Sequence, residues 1–331
     1  MNSLPHPEMR KRSVPRYQIT WQSLLLIILI TMPRISLSAE TATPRINPIG
    51  IHGSLVIAGG GGLPDQVMDR FVKLAGGEKA HLVIIPTASR RADEEDTKSL
   101  LASWQDRKSA SLTLLHTRSR DQANDPQFLK PLARATGIWF TGGVQSRVTE
   151  AYLGTLLEKE LTSLLKRGGV IGGSSAGAAI QSRVMIAGGR DVANLQTGFD
   201  LLPGTIIDQH FLARKRQARL IGAVKKHPLR VGLGIDEGTA LVVQGRRLEV
   251  VGRSSVTVCL AASSTQDAMQ TTVPAGQQLD LTALRRATRD RQKPVFPPQT
   301  MRPSKVESGS LLIVGGGGFP TPMRKKFIEL A

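Results

Sequence analysis

Gly172-Gly173-Ser174-Ser175-Ala176-Gly177-Ala178-Ala179 is the stretch whose residue types could do covalent chemistry. A short apolar run, Val170-Ile171, meets a Gly-Ser turn, and small helix-favouring residues follow. Gly173-Ser174-Ser175-Ala176-Gly177 fits the G-x-S-x-G nucleophile elbow, a serine on a strained strand-to-helix turn. The spacing has a steric reason: the backbone doubles back, which calls for small residues two positions before and after the serine. The N–H of Ala176 then points toward a developing oxyanion at the positive end of a helix. An ordinary tight strand–helix connection has the same composition. The partners must therefore decide.

A nucleophilic serine needs a general base and a group that orients the base. Five histidines follow the leader: His52, His81, His116, His210 and His227. His52 lies in a leading linker, His81 and His116 flank early strands, and His227 precedes Pro228 at a helix end. His210 closes Ile206-Ile207-Asp208-Gln209-His210-Phe211, at the end of an apolar run, which makes it the candidate base. For the third member, Gly234-Ile235-Asp236-Glu237-Gly238 offers adjacent acids, of which only one should meet His210 because neighbouring strand residues face opposite ways. Asp208 is a further candidate, equally suited to capping the following helix.

The elements that must carry these residues alternate. Strands are expected at 54–58, 82–86, 111–116, 137–141, 169–172, 203–207 and 230–235, and helices at 64–75, 92–108, 125–134, 145–166 and 211–226. Short strands follow at Thr239–Val243, Leu248–Val251 and Ser255–Leu260. Such alternation predicts an α/β fold with a doubly wound, mostly parallel sheet. Sites in these sheets gather at strand carboxyl ends, where Ser175 and the loop Thr141-Gly142-Gly143-Val144-Gln145 fall. The run Gly59-Gly60-Gly61-Gly62 follows the first strand, but no Gly-Lys-Ser/Thr makes it a P-loop and no further glycine a dinucleotide turn. Close backbone packing, or help in shaping the site, is the expectation for it.

Residues 1–38 read as a signal peptide: Arg10, Lys11, Arg12 and Arg16, then an apolar Leu24–Ile30, then Ser36-Leu37-Ser38-Ala39, with cleavage favoured after Ser38 and the bond after Ala39 a near alternative. The expected location is secreted or periplasmic, with no membrane association after cleavage. Removing the leader's five basic residues and Glu8 reduces the net charge from +18 to +14. Aromatic residues are only 4%, with no basic–aromatic interleaving, which argues against nucleic acid as partner. The single Cys259 allows neither an internal disulfide nor a multi-thiolate metal site, so no metal is expected. Residues 39–53 read as a linker, 54–284 as one module, and 285–309 as a basic, proline-rich linker. Ser310–Ala331 then restates Ser54–Ala75 at a constant offset of 256, with 11 of 22 positions identical. It reads as the start of a second, truncated module, either poorly ordered or competing with 54–75 for its place in the sheet.

Gly172–Ala178, Asp208-Gln209-His210-Phe211, the spaced Arg214, Arg216 and Arg219, and Gly234-Ile235-Asp236-Glu237 together resemble the cyanophycinases, serine peptidases of family S51. The resemblance spans about 54–260. It implies Ser175 as nucleophile, His210 as base, and Glu237 rather than Asp236 as third member. It further implies Gln145, Arg214, Arg216 and Arg219 at the substrate, where Asp208 is also expected, and no cofactor; backbone N–H groups near Ala176 and Gly143 are expected to receive the oxyanion. The family's fold is class I glutamine-amidotransferase-like (flavodoxin-like). Its substrate is cyanophycin, a poly-aspartate with arginine on each side chain, cut to β-Asp-Arg dipeptides. Arginines suit the carboxylates of such a polymer. In a regular 211–226 helix, however, Arg214 and Arg216 would lie about 200° apart, too far round to face one pocket. Two departures stand out: Ser174 where the family commonly has threonine, and Val144 where a polar residue commonly precedes the glutamine. Other expectations on this scaffold are an aspartyl dipeptidase acting on β-aspartyl peptides, or a binding module without turnover; a homodimer is left open.

Overall fold

In the computed structural model, residues 46–94, 98–294, 309–314 and 317–331 are described. The expected signal peptide, and most of the expected basic linker, lie outside them. In chain order the described part runs β1 (Ser54–Ala58), α1 (Asp65–Leu74), β2 (His81–Ile85), α2 (Ala102–Gln105), β3 (Ser111–Leu114), α3 (Lys130–Arg134) and β4 (Gly137–Phe140). Next come α4 (Gln145–Tyr152), α5 (Leu156–Lys166), β5 (Val170–Ser174), α6 (Ala176–Ala179), β6 (Val184–Gly188), β7 (Asn194–Thr197), β8 (Thr205–Gln209), α7 (Gln217–Lys226) and β9 (Val231–Ile235). The chain closes with β10 (Thr239–Gln244), β11 (Arg247–Gly252), β12 (Ser255–Leu260), β13 (Met269–Pro274), β14 (Gln278–Asp280), α8 (Leu281–Arg291) and α9 (Thr321–Leu330).

The sheet is mixed but parallel at its heart. Its order is β14-β11-β10-β1-β5-β4-β2-β3, with β1, β5, β4, β2 and β3 parallel and β10, β11 and β14 antiparallel. Strand β1 holds the middle, pairing Ala58 with Ser174 of β5 on one side and Ala240 of β10 on the other. Its run of five apolar or small buried residues is what a strand covered on both faces requires. Leu55 and Ile57 pack with Val148, Tyr152, Leu161 and Leu164 of α4 and α5. Val56 and Ala58 face Phe71 of α1, with Trp104 and Trp139 behind it.

The strands expected in a single sheet divide between two, and β6 and β7 pair as a third, two-stranded one. Strands β8 and β9 are parallel to each other but belong to a second, four-stranded sheet, β13-β12-β9-β8, in which β8 is the edge. Four helices also differ from expectation. The expected 145–166 helix is broken at Leu153-Gly154-Thr155, where Gly154 takes φ +78° and donates its N–H to Glu158 Oε2. Among the described residues of 92–108 only short turns and α2 form, and 125–134 shrinks to α3. The expected 211–226 helix starts at Gln217, because His210 and Lys215 both have positive φ. The glycine- and aspartate-containing loop 188–200 contains half of a hairpin, β6–β7. The basic stretch from 285 begins inside α8, which Asp280 caps by accepting the N–H of Ala283 and whose Arg285 and Thr288 are buried.

Ser54–Ala58 occupies the central strand position, while residues 309–314 form no strand and α9 buries none of its residues. Among the described residues no helix is long and apolar enough to cross a membrane.

Candidate active site

Ser175 sits between β5 and α6 with φ +55° and ψ −106°, a conformation uncommon for any side-chain-bearing residue. Its surroundings account for the small residues on either side. A Cβ on Gly173 would come within 2.3 Å of the Gly177 carbonyl oxygen, and one on Gly177 within 2.2 Å of the Phe140 carbonyl oxygen. Ser175 donates its own N–H to Ala58 at 3.0 Å, which fastens the bend to the central strand.

His210 arrives from the other sheet, one residue past β8, with φ +51°. Its Nε2 lies 2.8 Å from Ser175 Oγ and its Nδ1 2.6 Å from Glu237 Oε1. With Nδ1–H donating to the carboxylate, Nε2 is left to accept from the serine hydroxyl. Burial pushes the His210 pKa below its usual 6.5, and the guanidinium groups of Arg214 and Arg216 push the same way, against the pull of Glu237. The imidazole is therefore neutral at neutral pH, as a general base must be.

The adjacent acids divide the work as the two faces of a strand end require. Glu237 meets the imidazole, while Asp236 accepts the N–H groups of Leu212 and Ala213 at 3.0 and 2.9 Å and the hydroxyl of Ser254 at 2.8 Å. Burial raises the Asp236 pKa, but these donors outweigh it and hold the carboxyl below its usual range. Asp236 thus clamps the irregular segment after His210.

The glycine run forms the floor. His210 donates its N–H to Gly59 at 2.7 Å, and Gly238 donates to Gly60 at 2.9 Å. A Cβ on Gly60, where φ is +100°, would stand 2.4 Å from the imidazole, and one on Gly61 2.9 Å from Glu237. Side chains here would displace the base and its orienting acid. Sequence reasoning expected close packing or site-shaping at this turn without assigning a partner; the signal was four glycines directly after a buried strand. Arg253, which donates to the Gly62 carbonyl at 2.6 Å, had no such signal.

The remaining expected residues separate into two groups. Arg214 is half-exposed, with Nε 3.9 Å from Glu237 Oε1. Arg216 is mostly buried, donates to the Gln209 carbonyl at 2.6 Å, and has its pKa pushed down to about 10, by burial first and then by neighbouring Arg219. Because residues 211–216 are not helical, the 200° separation does not arise. Asp208 and Arg219, expected at the substrate, are 0% and 2% exposed and are joined as a bidentate ion pair. In this structure neither is presented to solvent. Gln145 is also buried, with its Nε2 donating to the Ile186 carbonyl at 2.7 Å. Among the described residues, the N–H groups of Ala176 and Gly143 have no hydrogen-bond acceptor. Gly142 lies beside the serine, where an added Cβ would be 3.5 Å from Ser175 Cβ. Among the described residues no group of three or more His, Cys, Asp or Glu side chains is placed to hold a metal ion.

Such a hydroxyl–imidazole–carboxylate series can run acyl transfer. Known proteins agree in kind. The sequence model described as Peptidase family S51 matches residues 55–251. A cyanophycinase of Geminocystis herdmanii is 36% identical over 202 residues, covering 58% of this chain and 74% of the relative. A cyanophycinase of Trichormus variabilis is 35% identical over 247 residues, covering 69% and 79%. The crystal structure of a peptidase from an acI-B1 Actinobacterium matches with a TM-score of 0.55 at 22% identity, over 70% of this chain and 98% of that one, a likeness of fold.

Proposed function

The chain belongs to peptidase family S51 and is a cyanophycinase-like serine peptidase, and on that premise we propose that it cuts the poly-aspartate backbone of cyanophycin, exo-fashion, to β-Asp-Arg dipeptides. The observation that carries the reading is the unbroken hydrogen-bonded series Ser175–His210–Glu237. Ser175 Oγ attacks the backbone carbonyl carbon of an aspartyl unit as His210 Nε2 takes its proton. Glu237 holds the imidazolium that forms. The oxyanion is received by the N–H groups of Ala176 and Gly143, which lack competing acceptors. The imidazolium returns its proton to the leaving amine as the C–N bond breaks, and a water activated by the same imidazole then hydrolyses the ester.

Each cyanophycin unit bears a free carboxylate beside a guanidinium. Arg214, exposed beside Glu237, is the group best suited to grip that carboxylate, with Arg216 behind it. The fold reading is a class I glutamine-amidotransferase-like scaffold, supported by the parallel strands β1, β5, β4, β2 and β3 with the nucleophile directly after β5. Export is supported by the leader at 1–38, and a second module by the repeat at 310–331.

Purified protein incubated with cyanophycin should release β-Asp-Arg, read by mass spectrometry. Ser175→Ala should lower the rate by roughly 10⁴- to 10⁶-fold. Binding without any release would leave a binding module. Faster turnover of short Asp-X dipeptides than of the polymer would favour an aspartyl dipeptidase. N-terminal sequencing of exported protein should begin at Ala39 or Glu40; a retained leader would refute export by cleavage.

A further inference from the structure

Asp208 and Arg219 are joined as completely buried partners: Arg219 Nε donates to Asp208 Oδ2 at 2.7 Å and Nη2 donates to Oδ1. A third guanidinium N–H reaches the Gly189 carbonyl at the turn of the β6–β7 hairpin. Burying such a pair is a poor way to gain stability, because apolar residues of similar volume often do as well or better. What the pair can supply is a single geometry.

That geometry is needed two residues further on. Strand β8 is the edge of its sheet, so its carboxyl end is held by a neighbouring strand on one side only. His210 must stand just past that end in a left-handed conformation, facing a serine that belongs to the other sheet. The three residues there are fastened one by one. Asp208 is held by Arg219, the Gln209 carbonyl by Arg216, and the His210 N–H by the Gly59 carbonyl. Arg219 rises from the first turn of α7, so its fork ties that helix, the hairpin turn and the strand end into one body.

We infer that Asp208 and Arg219 are positioning residues for the proposed reaction, setting the base against Ser175 from beneath. They are not substrate ligands. The inference rests on the Ser175–His210–Glu237 reading.

The test separates the two by using a reaction that needs the base but no substrate pocket. A small phosphonofluoridate labels an activated serine without engaging carboxylate contacts. Asp208→Asn, which keeps shape and removes charge, and Arg219→Lys, which keeps charge and loses the fork, are compared with wild type after circular dichroism shows each folded. The expected result is labelling slowed by about 10- to 100-fold in each, with kcat falling in parallel, KM within about threefold, and the downfield Nδ1 proton signal of His210 weakened or lost. Labelling and that signal unchanged in either folded variant, with KM raised more than tenfold, would overturn the inference and return the pair to substrate binding. Wild-type protein that resists the probe, or Ser175→Ala that still takes it up, would instead sink the triad reading itself.

Discussion

Ser54–Ala75 and Ser310–Ala331 agree at half their positions, yet one forms the middle of the sheet and the described residues of the other are exposed or only partly buried. In the first copy Leu55, Val56 and Ile57 are fully buried, and Phe71 touches Trp104 and Trp139 edge-on at 5.5 and 5.0 Å. In the second, Leu311 and Ile313 are 83% and 81% exposed, no strand forms, and only the helix survives. Two segments that share half their residues therefore yield different structures. Helical hydrogen bonds close within the segment, whereas a strand needs neighbours. The first copy has β5 and β10; the second lacks any such partner among the described residues.

The largest effect should come from the apolar side of that contrast. Phe71→Ala removes a fully buried ring from the aromatic trio and should cost about 3–5 kcal/mol in denaturant unfolding. Phe327→Ala, at the equivalent position, removes an exposed ring and should stay within about 0.5 kcal/mol. Equal losses would mean that the second copy is packed as firmly as the first.

The glycine turns sharpen the comparison chemically. Gly61→Ala brings a Cβ against Glu237 at a φ of +68° and should lower kcat/KM by about 100-fold, or about 2.7 kcal/mol of transition-state stabilisation. Gly317→Ala, its counterpart, has open space and should leave the rate unchanged. A tolerated Gly61→Ala would show that the floor beneath the acid yields more than its packing indicates.

These pairs also explain what could be read without coordinates. The elbow at Ser175 was legible because its demands are local: small residues at fixed offsets, enforced by carbonyls of Gly177 and Phe140. His210 and the adjacent acids stood out through their strand-end positions, and the choice of Glu237 came through family resemblance. Periodicity missed Gly154, because one left-handed residue breaks a helix whose apolar pattern runs on through it. It also extended α7 backward over 211–216, where the clamp from Asp236 lies 20 or more residues away in sequence. The Asp208–Arg219 pair was the least legible. An acid and an arginine eleven residues apart look like surface charges until the hairpin closes over them.

Burial by the first copy should also be readable in pH. With the His210 pKa depressed, kcat/KM should hold as pH falls through 6.5 and drop only below it, as the base gains its proton. Arg214→Gln removes one of the charges that lower the pKa, so this acid limb should move to higher pH. A limb that stays in place would mean that Arg214 is screened from the imidazole. Deleting 310–331 should not move it.

That deletion is the smallest and most direct test. Every residue of α9 is exposed, and its ring contact between Phe319 and Phe327 is internal to the segment. Removing residues 310–331 should therefore change unfolding free energy by less than about 0.5 kcal/mol, the range for surface changes away from packing or caps. Turnover should be equally indifferent, because the floor under His210 and Glu237 comes from Gly60 and Gly61. A loss of 2 kcal/mol or more would require the second copy to spend part of its time in the β1 position, pairing with β5 and β10 in place of the first. Strand exchange of that kind would also release Gly59 from His210, so stability and rate should then fall together, and a fall in only one would argue for some other contact.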